Sequence, residues 1–308
     1  MASAEADLTA VRELKRSAGT QDLGLAARQV VRPLLDQAAA FDPLSLPLDL
    51  KLIASIAQIR EIVEVEGLGV AGLVRPHPDS SSALLVETRA SDRYERQRFT
   101  VAHEIAHSRM PGFWDDPSRS RRDRVTGEFP SHSPLEAACD IAASEILLPE
   151  SLVKPWLTDK RYDATTLVDL ATEAEASLSA CGRRLVDLSP QPLAFVSFSE
   201  RLSKTELRAV KQTAIQPVLP GFEPIPLPEP KYRIDESCSR GGFPFLPRHK
   251  SAESSTFGRA RIDGGAVDGE IAMEIDGTGW VFHASVIFAP MRVGGELTDR
   301  FLAMIRLG

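Results

Sequence analysis

The segment that most constrains this chain is Arg98 to Met110, RFTVAHEIAHSRM, which contains two histidines four residues apart. Apolar residues before and between His103 and His107 favour a helix. Four residues correspond to about 400° of helical rotation, so the two imidazoles project from one face, one turn apart. At this composition, chance gives an HExxH pattern only about 0.01 times. The motif therefore predicts a helix that offers two nitrogen ligands to one Zn²⁺.

Glu104, directly after the first histidine, is predicted to be a catalytic base. It is rotated away from the metal ligands, but it is close enough to accept a proton from a water that attacks a peptide carbonyl. The proton would pass to the leaving amine while the metal polarises the carbonyl. The alternative is a helix that has kept the pattern and lost the metal. A third protein ligand decides between the two.

The segment PLEAACDIAASEILLP supplies candidates for that ligand. Ser133 is predicted to be the N-cap and Pro134 the first residue of a helix that ends before Pro149. Glu136 is the predicted third ligand, and Asp140, on the same face, is predicted to bond the free nitrogen of a zinc-bound histidine. The alternatives are a capping box between Ser133 and Glu136 and a solvated Asp140. Glu145 is a competing carboxylate nearer the end of the helix.

The rest of the chain predicts an α+β fold with two domains, residues 1–190 and residues 191–308. Apolar periodicity and turn signals define the elements of the first domain. These are helices over residues 4–40 and 49–59, β-like runs over residues 60–76 and 81–88, and two short helices over residues 165–188. Beyond residue 190, β-like runs alternate with proline-rich segments, and residues 269–290 read as a hairpin.

The sequence QRFTVAHEIAH followed by EAACDIAASEILLP resembles the ImmA/IrrE family of zinc metallopeptidases over roughly residues 45–190. The resemblance implies a zincin-like core, in which a small sheet accompanies the HExxH helix and the ligand helix. It implies His103, His107 and Glu136 as zinc ligands and Glu104 as the general base, followed by a helix-turn-helix-like pair. Ala142 replaces the usual aromatic and the loop before Glu136 is long and basic, which puts the substrate in question rather than the metal.

The resemblance also implies a function, which is the cleavage of a helix-turn-helix repressor to derepress a stress or defence operon. Members of the CapP type carry a C-terminal sensor that responds to DNA. Residues 191–308 are therefore predicted to be a regulatory domain, with single-stranded DNA as a candidate signal. Basic residues interleave with aromatics between Lys231 and Arg261, as in proteins that bind single strands. Arg240, Arg248 and Lys250 are the predicted contacts, and the alternative is that the aromatics form a core.

Two further side chains are candidates for roles at the metal. His132 is a candidate donor to the oxyanion, as are Tyr94 and the arginines of residues 119–124, although each also fits an ordinary surface. Cys238 is a candidate inhibitory ligand, because a thiolate could occupy the open coordination position. The alternative for Cys238 is an ordinary half-buried cysteine.

Composition narrows the function classes. The net charge of −7 argues against a general nucleic-acid coat. Three widely spaced cysteines without a CxxC pair argue against a disulfide framework. No apolar run approaches the roughly 20 residues that span a bilayer, so a cytoplasmic protein without a membrane partner is predicted. The rival functions are a DNA-binding regulator with a vestigial peptidase core and a peptidase that acts on a small peptide or toxin.

Overall fold

A computed structural model describes residues 2–115, 133–215, 227–293 and 296–307. The chain divides into two compact units. The first comprises the described residues up to Thr158 together with Leu170–Cys181. The second comprises Asp159–Asp169 together with the described residues from Gly182 onward. The boundary near residue 190 stays a prediction about domain organisation.

Three helices begin the first unit: α1 (Ala2–Ser17), α2 (Leu23–Phe41) and α3 (Leu50–Ile56). Asp22 caps α2 by accepting a hydrogen bond from the backbone N–H of Leu25, and Asp49 caps α3 in the same way. The single helical stretch predicted for residues 4–40 is thus two helices. Gly19 lies between them with φ 64°, a left-handed conformation that ends a helix.

The sheet of the first unit has three strands: β1 (Ile59–Val65), β2 (Gly72–His77) and β3 (Ser80–Arg89). The strand order is β1-β3-β2, with β1 parallel and β2 antiparallel to β3. The first predicted β-like run therefore contains two strands. Between these strands lies a turn at Gly67, whose φ of 68° is a left-handed conformation that residue types other than glycine disfavour.

The helices that follow are α4 (Tyr94–Arg109), α5 (Pro134–Leu147) and α6 (Glu150–Trp156). Helix α4 contacts strands β2 and β3 and helix α5, and α5 also contacts α1 and α2. Ser133 is the N-cap of α5, which confirms the predicted start of that helix. Its hydroxyl accepts from the N–H of Leu135 and donates to Asp7 of α1 at 2.7 Å. The first helix thus holds the start of α5.

Gly72 sets how closely β2 approaches α4. A Cβ at this position would lie 2.2 Å from Cγ2 of Thr100 and 3.5 Å from Oε1 of Glu104. We expect Gly72→Ala to lower the free energy of unfolding by about 1–3 kcal/mol, because the strand or Thr100 must move. Thermal denaturation measures the effect. Gly69→Ala is the matched control, since a Cβ there meets nothing within 4 Å.

A second substitution identifies the contact responsible. Thr100→Ser removes the methyl group that a Cβ at position 72 would meet. Gly72→Ala should therefore cost less stability in a Thr100→Ser background than in the wild-type background. An equal loss in both backgrounds would show that contact with Thr100 is not the cause.

The described strands of the second unit are β4 (Leu193–Arg201), β5 (Lys231–Arg240), β6 (Ser251–Glu253), β7 (Val267–Ile275), β8 (Thr278–Phe288), β9 (Met291–Val293), β10 (Glu296–Thr298) and β11 (Arg300–Arg306). Six of them form a closed barrel in the order β11-β4-β5-β6-β7-β8. Phe198, Phe257, Phe282 and Phe301 lie in its core. The hairpin predicted for residues 269–290 is confirmed, with both turn residues at positive φ.

Helices α9 (Lys204–Ile215) and α10 (Ser255–Asp263) accompany the barrel strands along the chain. The predicted pair of short helices is present as α7 (Ala164–Ala174) and α8 (Leu178–Leu188), whose residues are shared between the two units. None of the described helices is both long and apolar enough to cross a membrane. The predicted mixed α+β class is confirmed, whereas the zincin-like core and the sensor domain stay predictions.

Candidate metal centre

Helix α4 carries the HExxH motif through the interior of the first unit. His103, Glu104 and His107 are only 5%, 0% and 3% exposed. Strands β2 and β3 and helix α5 all contact this helix. Burying three ionisable side chains is costly unless polar partners surround them. The partners come mainly from α5.

The two histidines and Glu136 form a triangle of metal-binding atoms. The Nε2 atoms of His103 and His107 lie 3.0 Å apart. The Glu136 carboxylate places Oε2 3.2 Å from Nε2 of His103 and Oε1 3.2 Å from Nε2 of His107. Tetrahedral zinc with ligands at about 2.0–2.1 Å separates those ligands by about 3.3 Å. The donor set therefore fits Zn²⁺ in both chemistry and spacing.

The Glu136 carboxylate is directed at the histidines, as the ligand hypothesis requires. The capping-box alternative needs that carboxylate to bond back to Ser133, whereas both of its oxygens contact imidazole nitrogens. Burial alone raises the pKa of Glu136, but the hydrogen bonds and charges of His103 and His107 outweigh it and lower the pKa below its ordinary value. The ionised form, which a metal requires, is thus favoured.

The other nitrogen of each histidine also meets a side chain of α5. Asp140 Oδ1 lies 2.8 Å from Nδ1 of His103, as the sequence predicts for that carboxylate. Cys139 Sγ lies 3.4 Å from Nδ1 of His107. This second contact was missed from the sequence, although its spacing carries the signal: residues three and four positions after Glu136 share its helical face.

Cys139 also belongs to a buried group with His103 and His107 whose donor atoms lie within 4.8 Å of one another. Its sulfur, however, contacts Nδ1 of His107, whereas the triangle is built on Nε2. Nδ1 and Nε2 of one imidazole ring face in different directions, so a metal bound at Nε2 is not next to the Cys139 sulfur. The geometry therefore favours Glu136 over Cys139 as the candidate third ligand.

The competing carboxylate, Glu145, is engaged away from this triangle. Its Oε1 accepts a hydrogen bond from the backbone N–H of Glu150 at 3.1 Å. Its Oε2 lies 3.8 Å from Nε of Arg28. Glu145 thus links the end of α5 to the start of α6 and to α2, which is a structural role.

The candidate oxyanion donors divide into two groups. Tyr94 donates its hydroxyl to Glu175 at 2.9 Å. It precedes His103 by nine residues, which places it about 13 Å away along the helix. The structure therefore does not bring Tyr94 to the centre. His132 and the arginines of residues 119–124 lie outside the described residues.

The candidate nucleic-acid contacts lie in the second unit. Tyr232, Phe243 and Phe257 pack in or against the barrel core, so the core alternative holds for three of the four interleaved aromatics. Phe245 is 79% exposed. Arg240 donates to the carbonyl of Asp187, Arg248 is exposed and Lys250 is half-buried. Nucleic-acid binding by these three basic residues stays a prediction.

Cys238 lies on strand β5 of the second unit and is half-buried. Burial raises the pKa of its thiol to about 12. Because only the thiolate binds zinc, this environment does not favour a ligand. The inhibitory-ligand role of Cys238 stays a prediction.

Comparison with known proteins adds an independent observation. Residues 74–186 match the family model described as the IrrE N-terminal-like domain of a peptidase family. This segment holds His103, Glu104, His107 and Glu136. Residues 74–186 are thus similar to the ImmA/IrrE family. The resemblance identified from the motifs is therefore confirmed at the level of the family, whereas the CapP type stays a prediction.

Two curated relatives of this chain are both named radiation response metalloprotease IrrE. The protein of Deinococcus radiodurans is 34% identical over 114 residues, which is 37% of this chain and 34% of the relative. That of Deinococcus deserti is 31% identical over 103 residues, 33% of this chain and 36% of the relative. The chain thus spans about a third of the length of each.

Among solved structures, a Mycobacterium tuberculosis transcriptional regulator aligns with 98% of this chain and 76% of its own chain, at 13% identity and a TM-score of 0.47.

Proposed function

We propose that the protein is a zinc-dependent endopeptidase. The observation that carries the proposal is the meeting of two Nε2 atoms and the Glu136 carboxylate within 3.2 Å of one another, next to the fully buried Glu104. Three ligands of this kind leave a fourth position for a substrate, which distinguishes catalytic from structural zinc.

His103, His107 and Glu136 would hold the metal, and Glu104 would move the proton. Bound there, Zn²⁺ supplies a Lewis acid that polarises a carbonyl and acidifies a water. Glu104 accepts the proton of the attacking water on its carboxylate and delivers it to the leaving amine. Its full burial beside Gly72 and Thr100 restricts the carboxylate to few orientations. Asp140, whose Oδ1 lies 2.8 Å from Nδ1 of His103, favours a proton on that nitrogen, which leaves the Nε2 lone pair for the metal.

The substrate we propose is a helix-turn-helix transcriptional repressor in the cytoplasm, whose cleavage derepresses a stress or defence operon. The names of both curated relatives, radiation response metalloprotease, support a response to stress. The barrel of the second unit is the proposed regulatory part, with single-stranded DNA as the candidate signal. His132 is kept as a proposed oxyanion donor.

The DNA-binding alternative receives less support from the α7–α8 pair. Arg183 and Arg184 are the two basic residues of these helices. Arg183 Nη2 lies 2.6 Å from Glu236 Oε1, and Arg184 is only 2% exposed. Little positive charge is therefore available on the pair for phosphate contacts.

Cleavage is tested by labelling new protein N-termini. Zinc-loaded wild-type protein and its Glu104→Gln variant are incubated with a lysate of the source cells lacking this protein, with and without added single-stranded DNA. We expect new N-termini in a repressor-like protein with the wild type alone. Cleavage confined to small peptides would favour the peptide or toxin alternative. Identical N-termini with both proteins would contradict the peptidase.

Zinc should also stabilise the fold, because a ligand that binds only the native state adds to the free energy of unfolding. At free zinc about 1,000 times its Kd, the expected gain is about 4 kcal/mol. Thermal denaturation of chelator-treated protein before and after zinc addition measures the gain. Glu136→Ala should show a much smaller gain at the same zinc concentration, and an equal gain would place the metal elsewhere.

A further inference from the structure

We infer that Cys139 is a positioning residue for His107. The sulfur of Cys139 accepts a hydrogen bond from the Nδ1 proton of His107 and so directs Nε2 at the metal. The inference rests on the proposed zinc centre and adds a residue that supports it. The contact is direct, since Sγ lies 3.4 Å from Nδ1 of His107. Both side chains are buried, so water does not compete for the contact.

The tautomer of His107 makes this contact matter. A neutral imidazole carries one proton, and the nitrogen without it is the ligand. If Nε2 binds zinc, Nδ1 carries the proton and requires an acceptor in the buried interior. Cys139 occupies that position. The reverse arrangement, in which the thiol donates to Nδ1, would place the proton on Nε2 and prevent it from binding the metal.

The two histidines are supported unequally. His103 faces the carboxylate of Asp140, which is 51% exposed at its side chain. His107 faces the sulfur of a fully buried cysteine. A carboxylate is a strong acceptor and increases the basicity of its histidine, whereas a thiol is a weak acceptor. The Cys139 contact is therefore the weaker of these two, and loss of Cys139 should affect the His107 ring specifically.

A single helical face of α5 makes all these contacts. Glu136, Cys139 and Asp140 occupy positions i, i+3 and i+4, which lie together on a helix. Glu136 contacts Nε2 of both histidines. Cys139 contacts Nδ1 of His107, and Asp140 contacts Nδ1 of His103. Cys139 could share a metal with His107 through the neighbouring Nδ1, but that metal would lie outside the triangle built on Nε2.

Zinc affinity of the full chain, measured by competition with a chromophoric chelator, tests the inference without a peptidase substrate. Cys139→Ala should weaken zinc binding about 10-fold or more, the usual effect of removing the partner of a metal-bound histidine. Cys139→Ser retains an acceptor and should recover most of the affinity. Cys181→Ala is the matched control, since it removes another buried thiol outside the cluster and should leave affinity unchanged.

Two measurements on the wild type stand even if a variant does not fold. Nitrogen NMR of the zinc-loaded protein should show Nδ1 of His107 protonated and Nε2 bound to metal. Cobalt-substituted protein should lack a thiolate-to-metal charge-transfer band. A His107 ring without a proton on Nδ1, or a band that Cys238→Ala does not remove, would overturn the inference.

The outcomes separate this inference from the proposed function. A wild-type chain that binds no zinc contradicts the zinc peptidase. If the wild type binds zinc and Cys139→Ala binds it equally tightly, only the positioning role of Cys139 is contradicted.

Discussion

Glu104→Gln is expected to reduce peptide-bond cleavage by about 10²- to 10⁴-fold, the usual contribution of a general base. Glutamine has nearly the same shape as glutamate, so the buried space next to β2 stays filled. An amide, however, cannot accept the proton. Zinc content and circular dichroism should match the wild type. The measurement is the cleavage rate of the substrate found by N-terminal labelling.

Glu145→Gln is the matched control for that variant. Glu145 is also a buried glutamate, but it bonds the N–H of Glu150, and a glutamine can still accept this bond. Its cleavage rate should stay near that of the wild type. If Glu104→Gln cleaves as fast as Glu145→Gln, the proton is carried by a different group.

Glu136→Ala is expected to weaken zinc binding by more than about 100-fold, since it removes a ligand rather than the partner of one. The substitution also leaves two buried histidines without their shared carboxylate. Chelator competition measures the affinity. Glu145→Ala, on the same helix, should retain zinc although it loses the contacts to Glu150 and Arg28.

If Glu136→Ala retains zinc, Cys139 becomes the candidate third ligand, because it is a donor of α5 that lies near the two histidines. The Glu136→Ala/Cys139→Ala double variant distinguishes the two. If Cys139 replaces the missing carboxylate, the double variant loses the remaining affinity. If the affinity persists, the metal is bound outside this cluster.

The parts of this centre that could be predicted from sequence are those fixed by local geometry. The pairing of His103 with His107 follows from helical periodicity alone. The start of α5 follows from a serine and a proline with well-defined capping preferences. Glu136 could be proposed as a ligand from its spacing, but the choice between Glu136 and Glu145 depends on which carboxylate faces α4. That is a property of helix packing.

Long-range contacts account for what the sequence did not predict. Cys139 was missed because the partner of an outward-facing nitrogen depends on how α4 and α5 pack together. The closed barrel requires β11 to pair with both β4 and β8, which are far from each other in the chain. The sequence left open whether the aromatics between Lys231 and Arg261 stack on bases or form a core. Strand alternation turns Tyr232 towards the barrel core.

One titration tests the zinc peptidase most directly. Zinc is added back stepwise to metal-free wild-type protein while bound metal and cleavage of the identified substrate are followed together. We predict that cleavage rises in proportion to bound zinc and saturates at one zinc per chain, while Glu104→Gln binds the same zinc and does not cleave. Full cleavage by the metal-free protein, or saturation with zinc without cleavage by the wild type, would contradict this function.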